Sequence, residues 1–288
     1  MPQSTQTKNR PVRVRRVWGL DFSGAAQSGK NAWLAQCDVT PDDRLRLTHL
    51  DPLERLAGTP DRDAVNQSLV GAIQNAPETL IGADFPFGLP IELGLGDWPD
   101  QLAHVAAHDG DAKTYGRHLV DLTQQRCNGS KHVRRQTDRE TATPFDCYHY
   151  RIIYQTFHGM RDLLVPLAAD PSVAVLPFQP IHTKTQTLVA EACPSSTLKR
   201  LGLPHQNYKH PGRPGLPKHR QTRNKILQSI ATQITITPHR RRVIQQNPGG
   251  DALDAVLAAI GVWSAYRRHT PTHFHENPRY QREGMVYC

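Results

Sequence analysis

Cysteine is scarce in this 288-residue chain: five residues, at positions 37, 127, 147, 193 and 288, with no close pair among them. That spacing excludes a disulfide framework and fits thiols kept reduced. No stretch approaches the roughly 18–20 consecutive apolar residues that a membrane-spanning helix requires. The first ten residues lack the apolar core of a secretory signal, so a cytoplasmic protein with no membrane partner is expected. Hydrophobic residues make up 38% and aromatics 7%, with a mean hydropathy of −0.57. The chain is therefore polar, yet long enough to bury a sizeable core. Internal repeats are absent, which excludes a repeat array.

The most informative absence is of acid. Residues 192–250 contain no Asp or Glu but eleven Lys or Arg, among them Arg240, Arg241 and Arg242. Lys8, Arg10, Arg13, Arg15 and Arg16 form a second acid-free patch, and the formal net charge is +9. Basic surfaces attract polyanions, nucleic acid foremost. A solvated basic face explains composition alone equally well. What singles the interval out is that acids stand at both its ends, Glu191 and Asp251.

Residues 1–11 read as a disordered tail and 12–288 as a single α/β domain. Apolar alternation predicts strands over Val12–Asp21, Ala32–Val39 and Arg44–Leu50. The Pro41-Asp42-Asp43 turn between the last two makes the three an antiparallel meander. Thr59-Pro60 supplies a helix N-cap and first-turn proline. Thr79–Asp84, short and β-prone, is expected parallel to the first strand as a buried central strand. A helical insertion follows at about 95–170, and its Tyr148–Leu167 stretch carries an apolar stripe at helical spacing. Val173–Leu176 and Thr187–Ala192 predict two more strands. Helices follow at about 217–231, 239–246 and Asp251–His269, with a small closing strand at Gly284–Tyr287.

Five acids stand at element ends: Asp21, Asp84 and Glu191 close strands, while Asp251 and Asp254 open the last helix. Acids three apart share a helix face. N-terminal capping accounts for Asp251, but Asp254 falls within a small, apolar and therefore buried run, where a carboxylate needs a cation. If the three strands are parallel neighbours, their carboxyl ends share the edge where ligands bind in open α/β sheets. Clustered carboxylates raise one another's pKa unless a cation neutralises them. An all-oxygen set favours Mg²⁺ or Mn²⁺ over Zn²⁺, and such ions suit phosphodiester hydrolysis.

The order of strand-Asp, meander, helix, strand-Asp, insertion and Asp-x-x-Asp helix resembles the ribonuclease H-like superfamily, Holliday-junction resolvases in particular. More closely, Gly19-Leu20-Asp21-Phe22-Ser23-Gly24, Asp84-Phe85-Pro86-Phe87-Gly88-Leu89-Pro90, Glu191-Ala192-Cys193-Pro194 and Asp251-Ala252-Leu253-Asp254-Ala255 resemble the domain of unknown function 429 family. Members of that family are predicted ribonuclease H-like nucleases. Arg134–Asp138, Tyr154–Gly159 and Glu283–Tyr287 extend the likeness over about residues 14–288. The resemblance implies a mixed central sheet flanked by helices, and a metal-dependent nuclease with Asp21, Asp84 and Asp254 as metal ligands. It gives Asp251 and Glu191 supporting catalytic roles. Cys193 departs from the bulkier residue expected before Pro194. Arg135, Lys184, Arg240, Arg241 and Arg242 are the candidate nucleic-acid contacts, with His182 and Asp138 as further orienting candidates.

Two other readings fit some of these residues. Sugar kinases and actin-like ATPases also open on a strand, an Asp and a small-residue phosphate turn, but they duplicate the fold, and one set is present here. A non-catalytic nucleic-acid-binding protein would use the acids structurally. Cys127, His132, Cys147 and His149 lack the Cys-x-x-Cys pair of a zinc site. Ser23 is expected to cap its turn, and Tyr208 to be a surface loop residue.

Overall fold

A computed structural model describes residues 12–210, 216–269 and 277–288. The expected tail at 1–11 and Arg213, one of the eleven cations of the acid-free interval, lie outside the described residues.

The meander forms as expected: β1 (Arg16–Asp21), β2 (Trp33–Val39) and β3 (Leu45–Pro52) pair antiparallel in sequence order. The first strand starts at Arg16, later than the expected Val12. β4 (Thr79–Ala83) lies parallel to β1, and β6 (Thr187–Ala192) lies parallel to both β4 and β5 (Val173–Leu176). A two-residue β7 (Ile234–Thr235), too short to leave a periodic signal, extends the far edge beside β3. β8 (Val286–Tyr287) pairs with β6 beyond the end of β5. The sheet order is β5-β6-β4-β1-β2-β3-β7. The chain is thus an α/β protein with a mixed sheet, antiparallel in its first three strands and flanked by helices. No described helix is long and apolar enough to cross a membrane.

Every residue of β4 and β6 is buried, as expected of parallel strands covered on both faces. The two-residue period sorts their side chains. Val17, Leu80, Leu188 and Ala190 pack with the last long helix, Asp251–Arg268. Leu20, Ile81, Ala83 and Val189 face the opposite layer, built from the helix Arg62–Gln74 and the insertion. Gly19 and Gly82 are register partners on the first face. A Cβ on Gly19 would lie 1.9 Å from the Ala255 carbonyl oxygen, and one on Gly82 would lie 2.8 Å from the Val262 side chain. The helix backbone therefore rests directly on the sheet, and that close approach delivers its first turn to the ends of β1 and β4.

Two helices differ from expectation. The first begins at Arg62 and not at Pro60, because the Asp61 carboxylate accepts from the Asp63 and Ala64 amides, both at 3.1 Å. Thr59 Oγ1 accepts only from the Asp61 amide at 3.3 Å. The expected Tyr148–Leu167 helix starts at Ile153, widens to π-type turns over Gly159–Leu164 and ends at Ala168. Pro166, which has no N–H to offer one turn back, follows the wide turns directly.

Candidate metal centre

Asp21 is the last residue of β1 and Asp84 the first beyond β4. Leu20 pairs with Ala83, and the Asp84 amide donates to the Leu20 carbonyl at 2.8 Å. The two acids therefore sit side by side, each two residues after its glycine and on the same face as Gly19 and Gly82. On that face Gly250, with φ of 86° available to glycine, turns the chain into the last helix. Asp254 follows in its first turn, fully buried. Carboxylate oxygens of Asp21, Asp84 and Asp254 all lie within 4.8 Å of one another.

Burial raises the pKa of each of the three. The Asp254 charge pushes Asp21 further up, well above the carboxylate range. Burial followed by Asp254 lifts Asp84 to about 8. Lys209 opposes these shifts: its ammonium pairs with Asp254, whose other oxygen accepts from the Tyr208 hydroxyl at 2.8 Å. Burial disfavours the Lys209 charge, but Asp254, Tyr208 and Asp21 hold its pKa well above the ordinary value. One ammonium cannot balance three carboxylates. The surplus must be met by protons or by a further cation. Three hard oxygen donors within 4.8 Å of one another could hold a metal ion, and their chemistry suits Mg²⁺ or Mn²⁺. A cavity of about 330 Å³ opens onto them, with Asp251 on its wall. Asp251, only partly buried, accepts from Asn247 Nδ2 at 3.3 Å and stands outside the triad.

Glu191 lines the same cavity as the triad but is not one of its three converging carboxylates. It is the register partner of Ala83, not of Asp84, and so projects to the opposite sheet face. There the Arg135 guanidinium donates to both its oxygens at 2.5 and 2.8 Å, and the Phe87 amide adds a bond at 2.9 Å. Arg135 also binds both oxygens of Asp138, at 2.8 and 3.0 Å. With Arg135 only 1% exposed and its donors all engaged, it is not available as a phosphate contact, and Asp138 is likewise buried. These groups instead lock the insertion to the sheet. Glu191→Gln is accordingly expected to lower stability by roughly 2–3 kcal/mol, the cost of weakening a buried pair, while Mn²⁺ affinity stays within about twofold. Thermal unfolding and manganese titration check both, and a large loss of affinity at unchanged stability would make Glu191 part of the metal centre.

The other candidates separate from the cleft. Lys184 is exposed in the loop before β6, at the edge opposite the acids. Arg240, Arg241 and Arg242 ride the helix Pro238–Gln246, and Arg240 acts electrostatically on Cys37, which pairs with Val17 well down β1 from Asp21. None of these cations lines the cavity. Tyr208 is buried on Asp254 and not a surface residue, because its hydroxyl has a carboxylate to satisfy. Ser23 Oγ accepts from the Ala25 amide at 3.4 Å, in keeping with a turn cap. His132 pairs with Asp146 at 3.2 Å and stacks on Tyr148, while His149 stacks on Phe145, and among the described residues no cysteine joins them in a metal-binding group. Sequence reasoning missed Lys209, which arrives from a loop remote in sequence from every acid it faces.

The fold and the site together define an α/β protein carrying a buried carboxylate triad at the carboxyl edge of its parallel strands. Compared with protein-family models, curated proteins and solved structures, the chain matches none.

Proposed function

We propose that the chain is a ribonuclease H-like hydrolase that cleaves phosphodiester bonds in nucleic acid and depends on Mg²⁺ or Mn²⁺. The observation that carries this reading is the convergence of three carboxylates on a single ammonium at a cavity mouth. The strand order, with an antiparallel meander followed by parallel strands and an acid-bearing helix, agrees with the likeness to the domain of unknown function 429 family. Asp21, Asp84 and Asp254 would hold the cation. When bound, it supplies Lewis acidity and charge neutralisation at phosphoryl oxygens. Lys209, fixed by Asp254, places a positive charge beside the same oxygens. Asp251, on the cavity wall and not committed to the triad, is positioned to accept a proton from the attacking water. Gly24 has the Tyr154 carbonyl oxygen 2.2 Å from its Cβ position, so that side of the turn is closed by protein backbone. That disfavours the kinase-like use of the Asp21–Gly24 turn.

The test is incubation of purified protein with branched, duplex and single-stranded DNA and RNA in Mg²⁺, Mn²⁺ or EDTA, with ATP hydrolysis followed in parallel. Cleavage confined to the divalent conditions is expected. Cleavage in EDTA, or ATP turnover without cleavage, would overturn the reading; binding without cleavage under any condition would leave a non-catalytic binder.

A further inference from the structure

A file of aromatic rings leads away from the carboxylate cavity. Phe145, on the cavity wall, stacks on His149 with ring centroids 4.6 Å apart, and His149 lies 4.4 Å from Tyr150. The Arg151 guanidinium stands 5.5 Å from the Phe145 centroid and 5.7 Å from that of Tyr150, and it donates to the Tyr150 hydroxyl at 3.1 Å. Tyr150 is 72% exposed and Tyr154, on the same segment, 42%. Both border a second cleft of about 540 Å³ whose rim carries Lys113 and Arg117, one helix turn apart. No described carboxylate forms an ion pair with Lys113, Arg117 or Arg151; Asp121 is the acid on the same rim. The platform is also fixed relative to the acids, because Gln155 Nε2 donates to the Phe22 carbonyl, next to Asp21, at 2.6 Å.

Large rings held in water beside unpaired cations suit a ligand with flat apolar faces and negative charge between them. Bases within a duplex already stack on one another, whereas unpaired bases offer free faces to aromatic side chains. The geometry points to a subsite for unpaired nucleotides. A single-stranded segment next to the cleaved phosphate lays its bases on the exposed rings of Tyr150 and Tyr154, with its phosphates toward Arg151, Lys113 and Arg117. This rests on the nucleic-acid reading above and narrows it to single-stranded substrates or those with unpaired nucleotides beside the cleavage point.

The experiment is fluorescence anisotropy in EDTA, where binding is read without cleavage. It uses a labelled single-stranded oligonucleotide, its duplex and an abasic strand of equal length. The single strand is expected to bind more tightly than the duplex. Tyr150→Ala should weaken single-strand binding by about 5- to 100-fold, the range for loss of one stacked base, while Tyr150→Phe should keep it. The abasic strand should bind weakly and ignore both substitutions. Arg117→Ala should reduce the slope of log affinity against log salt by about one phosphate contact. Equal affinity for duplex and single strand, or indifference to Tyr150→Ala, would overturn the subsite. The result separates from the nuclease reading: tyrosine-dependent binding without cleavage retains the subsite and removes the hydrolase, and metal-dependent cleavage with tyrosine-independent binding does the reverse.

Discussion

Asp21→Asn is expected to reduce cleavage about a thousandfold or more, equivalent to ~4 kcal/mol of transition-state stabilisation, while leaving the fold intact. Asparagine keeps the shape of the side chain, so the packing at the end of β1 is undisturbed. It removes one of three charges that converge within 4.8 Å, and with it a ligand for the cation. The same substitution should stabilise the protein when no divalent ion is present, because burial and the Asp254 charge both oppose ionisation of Asp21. Lost activity with a raised Tm in EDTA distinguishes a ligand from a merely structural acid, whose removal lowers both. Asp251→Asn, outside the triad, should cost only about a hundredfold, the low end for a positioned proton acceptor. Retention of cleavage within tenfold of wild type by Asp21→Asn would remove the triad from the mechanism.

The elements that place the triad are legible in the sequence because each depends on local pattern. Strand alternation, the turn at Pro41-Asp42-Asp43 and the small-residue helix after Gly250 all leave periodic or compositional marks. Glu191 shows where local pattern fails. A strand's period of two tells which residues share a face, but not which face that is relative to another strand; the register between β4 and β6 decides it. Gly19-Leu20-Asp21 and Gly82-Ala83-Asp84 share a Gly-x-Asp spacing, with each glycine clearing room for the helix that brings Asp254. Val189-Ala190-Glu191 lacks that glycine, and this difference is the available sign that its acid faces the other layer. Lys209 and Arg135 left no comparable sign. Each reaches its acids from a loop or insertion, and contacts made across long separations carry no periodicity. The acid-free interval reaches the cavity through Tyr208 and Lys209, whereas the arginine run at 240–242 does not line it.

Without divalent cations, thermal stability is expected to fall as pH rises from about 5 to 8, and saturating Mn²⁺ should reverse the trend. Asp84 has a folded-state pKa of about 8, whereas an unfolded aspartate titrates near ~3.9. Between those values the folded chain binds more protons than the unfolded one, so stability declines with increasing pH. The contribution is complete below the unfolded value and is lost as pH passes through the folded one. Asp21, also raised, acts in the same direction. Lys209 and Tyr208, both held above their ordinary values, titrate beyond the window and do not reverse the sign. Glu191, bound to Arg135, also raises Asp84, after burial and Asp254, and so acts in the same direction. A divalent ion takes the place of the protons, so its uptake at pH 7 should release them and its affinity should rise toward pH 8. At a hundredfold excess over its Kd it adds about 2.7 kcal/mol of stability. Differential scanning calorimetry from pH 5 to 8, with and without Mn²⁺, reads the trend, and titration calorimetry in buffers of different ionisation enthalpy reads the protons. Asp84→Asn should flatten the metal-free profile and abolish the release. A wild-type profile already flat in EDTA would mean that the acids keep their charge without a metal, with Lys209 and the surrounding dipoles meeting it alone.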